Sequence, residues 1–348
     1  MNLSVCIITK NDEHNLSLCL EKLSSYGFEI VIVDTGSSDQ TKEMAAHYTD
    51  KIYDFEWCND FAAAKNYAIQ MALNEFVMVI DSDEYIQDFN VNHLFQKISQ
   101  NKHLVGRIKR INTFDKNKGQ EENQEWINRI FSKNLYHYKG SIHEQVVRKN
   151  GEAYDTYLSN VEIKHSGYDL TAEEKKRKTD RNITLLKAEL ESLGEDPYLL
   201  YQLGKGYYMA GDYEQACLYF SKGLSFDLNP KLEYVIDMVE AYGYGLLNDK
   251  RYQEALFFEQ IYDEFGATAD FQFLMGLIYM NNALFEKAVL EFEKAVKQKI
   301  CKVKGVNSYT ALYNIGVIYE CLGDKEKAVT YYNRCGEYKP ANERLKNI

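Results

Sequence analysis

The chain has 348 residues, 45% apolar and 27% charged, with 41 basic against 52 acidic side chains and a net charge of −11. That length favours two domains over one compact core, and the acidic balance excludes broad, sequence-blind binding to nucleic acid. No apolar run approaches the roughly 20 residues that span a bilayer, and Val5 to Ile8 is too short a stretch for a signal peptide.

From the N-terminus, strand-like and helix-like patterns alternate. "LSVCIIT" reads as a buried strand, Asn11 or Asp12 stands where a helix cap is expected, and Leu16, Leu20 and Leu23 share one helix face. "EIVIVD" is a second strand, followed by the polar turn "TGSSDQT" and a helix over Asp39 to Tyr48. "DKIYDF" is a short third strand, and a helix over Asp60 to Leu73 puts Phe61, Ala64, Ala68 and Ala72 on one stripe. "EFVMVI" is the fourth strand. Such alternation predicts a mostly parallel α/β sheet that binds ligands beyond the carboxyl ends of its strands. Thr9, Asp34 and the pair Asp81/Asp83 end three of those strands. No GxGxxG follows the first strand and no P-loop signature is present, so this is not a dinucleotide fold of the usual kind.

The fourth strand runs straight into Asp81-Ser82-Asp83-Glu84. Carboxylates that close repel, and the cluster costs stability unless a cation or hydrogen-bond donors neutralise it. A solvated acidic strand end is the plainer reading.

Further on, "NVEIKH" alternates as a strand ending in His165, and Ala172 to Glu191 reads as one long amphipathic helix. Its basic run Lys175 to Lys178 follows Glu173 and Glu174 at ion-pairing spacing, which makes a solvated helix face rather than a nucleic-acid patch. Since no Gly/Ser/Pro linker appears, the helix is expected to join two domains rigidly. The expected division is 1–170, a connecting helix over 171–196, and a helical region over 197–348.

That last region repeats itself. Gly204, Tyr207, Ala216, Phe220 and Gly223 recur as Gly276, Tyr279, Ala288, Phe292 and Ala295, and as Gly316, Tyr319, Ala328, Tyr332 and Cys335. A weaker copy holds Gly243 and Ala255. The spacing is close to the roughly 34-residue period of a helix-turn-helix repeat. Small residues sit where paired helices approach and aromatics fill the gaps, which accounts for many of the 28 tyrosines. The pattern resembles the tetratricopeptide repeat, whose stacks usually bind peptides or proteins. Alternatively, the helices only buttress the other domain. Seven scattered cysteines with no CxxC pair predict reduced thiols, several of them core fillers, in a cytoplasmic protein.

"VCIITKNDEHNLSLCL", "EIVIVDTGSSDQT", "WCNDFAAAKNYA", "VIDSDEY", "GSIHEQV" and "IKHSGY", in that order, resemble the inverting family 2 glycosyltransferases of GT-A fold. More narrowly, the chain is similar to the bacterial subgroup with tetratricopeptide repeats attached, which includes enzymes that glycosylate bacteriocin peptides on cysteine or serine. The resemblance implies that Asp83 contacts a Mn²⁺ or Mg²⁺ ion directly, that Asp81 faces the ribose or reaches the ion through water, and that Ser82 lies beside the donor. It makes His165 the third protein ligand, with an ordinary surface or core histidine as the alternative. Thr9, Glu13 and Asp34 would hold the nucleotide base and ribose, favouring a uridine diphosphate sugar, although Asp34 can instead cap the following turn. Lys65 stands where the family usually has arginine; it keeps a positive charge near the phosphates and loses bidentate geometry. Asp60 either caps that helix or pairs with Lys65.

For catalysis, the resemblance makes Glu144 the base that takes the acceptor's proton, with His143 lining the same wall. A thiol acceptor would ask little of it, since thiols ionise near about pH 8.5. Glu144 can otherwise serve only to hydrogen-bond the acceptor or its own loop. Arg129 can face the acceptor or the donor and Trp126 can stack on a sugar ring, and both can equally be ordinary packing residues. The expected protein is a metal-dependent hexosyltransferase acting on a peptide or protein held by the repeats. The alternatives are a glycan-directed transferase, an interaction scaffold on an idle domain, and a nucleotidyltransferase. Sugar, acceptor and oligomeric state are left open.

Overall fold

The computed structural model describes residues 2–114, 121–165 and 171–348, and the chain divides into two units, Met1–Lys175 and Lys176–Ile348. In the first, β1 (Leu3–Thr9), β2 (Glu29–Asp34), β3 (Ile52–Asp54) and β4 (Phe76–Asp81) pair in parallel, with α1 (Glu13–Ser24), α2 (Thr41–Ala45) and α3 (Phe61–Met71) between them. The alternation along each strand feeds two cores. Val5, Ile7, Met78 and Ile80 pack with Leu16, Leu20 and Leu23 of α1, while Cys6, Val31, Val33, Val77 and Val79 pack with Ala62 and Ala68 of α3.

After β4 come β5 (Glu84–Ile86), α4 (Val91–Gln100), β6 (Val105–Phe114), β7 (Glu121–Ser132), β8 (Tyr136–Lys139), β9 (Gln145–Arg148) and β10 (Thr156–His165). Eight strands form one mixed sheet in the order β3-β2-β1-β4-β7-β6-β10-β5, and β8 and β9 form a separate hairpin. Two residues separate β4 from β5, yet β5 pairs antiparallel with β10 at the far end of that order. Consequently the end of β10 returns beside the acidic turn, with His165 opposite Glu84.

Several boundaries differ from expectation. α2 covers only Thr41–Ala45, because the Asp39 carboxylate accepts from both the amide and the hydroxyl of Thr41 and keeps Asp39 outside the helix. Past Ala45 the amides turn back three residues, Tyr48 to Ala45 and His47 to Met44, and the α-helix stops. Asp12 stands at the N-cap position of α1 without capping it; its carboxylate accepts from Asn15 and Ser82 instead. The β6–β7 hairpin, β5, β8 and β9 had no expectation.

α5 (Ala172–Leu193) is followed by α6 (Pro197–Ala210), α7 (Tyr213–Leu224), α8 (Glu233–Asn248), α9 (Tyr252–Ala255), a 3₁₀ turn (Leu256–Ile261), α10 (Tyr262–Phe265), α11 (Ala269–Asn281), α12 (Phe285–Lys297), α13 (Tyr309–Cys321), α14 (Lys325–Arg334) and α15 (Lys339–Leu345). Aspartates start three of them: Asp196, Asp212 and Asp324 each accept from backbone amides of the first turn. The repeat has a direct steric reason. A Cβ at Gly204, Gly276 or Gly316 would fall 2.4 to 2.5 Å from a ring carbon of Phe220, Phe292 or Tyr332 on the next helix. In the weaker copy Gly243 meets Leu274 and Phe258, and the second helix is broken by the 3₁₀ turn. Tyrosines also bridge helices through their hydroxyls, as Tyr262 does to Glu291 and Tyr331 to Glu293. Four cysteines (Cys6, Cys19, Cys217, Cys335) are buried as core fillers. Among the described residues, no helix is long and apolar enough to cross a membrane.

Because Phe292 is fully buried against Gly276, Gly276→Ala should cost about 1–3 kcal/mol through overpacking. Urea unfolding checks this; an unchanged midpoint would mean the ring yields freely.

Candidate active site

The site is assembled by α3. Its first turn is capped by Asp60, whose carboxylate accepts from the Ala63 amide at 2.8 Å, so Asp60 is a cap. The Phe61 amide donates to the Ser141 carbonyl, fixing the loop after β8. One turn on, the Asn66 side chain imitates a neighbouring strand: its Nδ2 donates to the Tyr138 carbonyl at 2.8 Å and its Oδ1 accepts from the Tyr138 amide at 2.9 Å. Between these ties, Lys65 points into the space beyond β4. It is 3% exposed.

There its ammonium is shared by two carboxylates from distant parts of the chain. Lys65 Nζ lies 2.8 Å from Asp81 Oδ1 and 2.6 Å from Glu144 Oε1. The other oxygen of Asp81 meets Arg129 Nη2 at 2.7 Å, and Arg129, 7% exposed, continues to Glu84 at 3.2 Å. Arg110 extends the chain to Glu84 and Glu125. Opposite charges thus alternate from Glu144 to Glu125. Glu84, fully buried, also accepts from the Asp81 amide at 2.9 Å and so fixes the turn between β4 and β5.

Protonation follows from this order. Burial would lift the Asp81 carboxyl, but Arg129 and Lys65 outweigh it and hold Asp81 well below the usual carboxylate range. Burial would lower the Lys65 ammonium, and Asp81 and Glu144 reverse that and raise it. Arg129 is held up against burial by Asp81 and Glu84. Tyr138 lies under Lys65, whose Nζ is 5.4 Å from the ring centroid; burial pushes its phenol up to about 12.

Asp12, from the turn after β1, hydrogen-bonds Ser82 and stands near Asp83. Burial raises its carboxyl above the ordinary range, and the charge of Asp83 adds to the rise against the bonds from Ser82 and Asn15. Thr9 and Asp34 are register partners at the ends of β1 and β2, and both are buried. One Asp34 oxygen accepts from the Gly36 and Ser37 amides, capping the turn. The other, with the Thr9 hydroxyl, has no hydrogen-bond partner among the described residues.

The remaining expectations are placed less centrally. Glu13 is exposed on the first turn of α1. His143 is exposed beside Glu144 in a left-handed conformation (φ 51°), which is uncommon for histidine. The backbone of His165 closes β10 opposite Glu84, and its side chain lies outside the described residues, as do Ser166–Tyr168. Trp126 is half-buried on β7, its carbonyl accepting from Arg107, and none of Lys65, Asp81, Glu144 or Arg129 bonds to it. Arg129 is more than a packing residue: it is the second cation of Asp81. Lys65 likewise spends its charge on protein carboxylates. Sequence reasoning missed Asp12, Glu125 and Arg110. Asp12 was read only as a cap, and the two strand residues carried no motif.

Residues 4–147 match the model of Glycosyl transferase family 2, and Tetratricopeptide repeat models match 198–222, 269–299 and 309–342. The N-terminal unit is a family 2 glycosyltransferase domain. Tetratricopeptide repeats follow it. The SPbeta prophage-derived glycosyltransferase SunS of Bacillus subtilis is 25% identical over 233 residues, covering 63% of this chain and 52% of that protein. A TPR repeat-containing protein of Synechococcus elongatus is 26% identical over 229 residues, 64% of this chain and 56% of its own. The chain therefore spans about half the length of the curated relatives it matches. Among solved structures, MamA from Desulfovibrio magneticus RS-1 covers 49% of this chain and 97% of its own, with a TM-score of 0.39 and 23% identity.

For this glycosyltransferase domain, Lys65→Met tests the shared ammonium. It should cost about 3 kcal/mol in urea unfolding at neutral pH, because the largely buried Glu144 loses its cation and the partly buried Asp81 loses one of two. The deficit should shrink on acidification. Asp81 is depressed in the folded state, so its contribution is present above the unfolded value of 3.8 and is lost as pH falls through the lower folded value. Equal stability of the two proteins at neutral pH would contradict the arrangement.

Proposed function

We propose that the chain is an inverting, metal-dependent glycosyltransferase that moves a hexose from a uridine diphosphate sugar to a serine or cysteine of a peptide or protein. The observation that carries this reading is the Lys65 bridge between Glu144 and the strand-end Asp81. That bridge ties Glu144, the carboxylate assigned here as base, to the strand end to which this reading assigns the donor. The repeats present the acceptor, and the reaction is assigned to the cytoplasm, in keeping with free thiols.

Each group has a stated task. The Thr9 hydroxyl and the second Asp34 oxygen, buried without hydrogen-bond partners among the described residues, are suited to bond the base or ribose. A hard divalent cation fits the acidic turn, because Asp12 and Asp83 crowd like charge there. Asp83 would hold it with His165, while Asp81 stays on Lys65 and Arg129. When bound, such an ion supplies Lewis-acid stabilisation of the departing diphosphate. Lys65 adds positive charge on the same side. Glu144 accepts the acceptor's proton as the oxygen or sulfur attacks the anomeric carbon, and His143 lines that wall.

The test is donor turnover. With Mn²⁺, a uridine diphosphate hexose and acceptor peptides, uridine diphosphate should be released. Asp83→Ala and Glu144→Gln should each lower kcat by about a hundredfold. Pyrophosphate release from a nucleoside triphosphate would instead mark a nucleotidyltransferase, and no turnover of any donor a scaffold.

A further inference from the structure

One buried polar group in the site has no task in that scheme. Tyr138, on β8, is 3% exposed, and its hydroxyl makes no hydrogen bond among the described residues. A buried hydroxyl left unpaired is destabilising, because it gives up its bonds to water and gains none. Phenylalanine at this position would keep every packing contact the ring makes and carry no such cost. The ring is fixed: it stands edge-on to Phe131 at 5.7 Å, and its backbone is held on both sides by Asn66.

The hydroxyl lies in the field of Arg129, Lys65, Glu144 and Asp81. Lys65 Nζ stands over the same ring while it touches Glu144. Phenol and carboxylate are therefore gathered around one ammonium. A donor diphosphate arriving at the strand ends competes for that ammonium with more negative charge than Glu144 carries. If Lys65 turns to it, Glu144 becomes a largely buried carboxylate without its cation, a costly state unless another donor replaces it.

We propose that Tyr138 is a positioning residue for Glu144, its hydroxyl donating to the carboxylate once Lys65 turns to the donor's diphosphate. This rests on the glycosyltransfer reading above. The phenol stays protonated throughout and transfers no proton; it fixes the direction in which Glu144 faces the acceptor. The unpaired hydroxyl of the resting state is thus held in reserve for the donor complex.

The experiment is Tyr138→Phe in the full chain, with three readouts. The thermal midpoint should stay level or rise, since an unpaired group is removed and packing kept. The KM for the donor should stay within about twofold, while kcat falls about tenfold because the base is less well held. A kcat equal to that of the unaltered protein would overturn the proposal. So would a midpoint and kcat that fall together, which would show an ordinary structural hydrogen bond. Absence of turnover by the unaltered protein would overturn the glycosyltransfer reading itself, which separates the two failures.

Discussion

A single buried ammonium holds this site together. Lys65 sits between Asp81 at the end of a central strand and Glu144 in a loop of a separate hairpin. Neither carboxylate could stay as buried as it is without a cation, and the cation could not be buried without them. The α3 helix delivers the lysine, and the ties from Asn66 and Phe61 of that helix bring the hairpin to it. Remove the shared charge, and the loop bearing Glu144 loses its ion-pair anchor to the sheet.

The second half of the constraint is topological. The sheet order returns β10 to β5, only two residues after β4 ends, so the acidic turn is gripped from both sides. Glu84 fixes it from within by accepting from the Asp81 amide and by facing Arg129 and Arg110. Charge in this unit is not a solvated coat. It runs as an alternating file through the interior end of the sheet, and Asp12, outside that file, accepts from Ser82 and Asn15 instead.

Much of this was legible in the residues, for physical reasons. β1, β2 and β4 are covered on both faces and so appear as unbroken apolar runs. The repeats declare themselves because a glycine must face an aromatic ring at each helix pair. The strands β6 and β7 escaped notice because their charged residues, Arg110 and Glu125 among them, satisfy one another within the sheet and break the apolar pattern. Arg129 is the one cation in the largely apolar stretch "WINRIF", a signal of burial in the sequence itself. Asp12 was misjudged because a carboxylate before a helix usually caps it, and here a tertiary bond to Ser82 takes it instead.

The helical unit shows the same economy of means with different chemistry: glycine against ring, tyrosine hydroxyl against carboxylate, aspartate at helix starts. For the account as a whole, the most direct measurement is a double-mutant cycle on unfolding free energy with Lys65→Met and Glu144→Gln. The shared-ammonium account predicts a coupling of about 1 kcal/mol or more between two residues far apart in sequence. Strict additivity would contradict it.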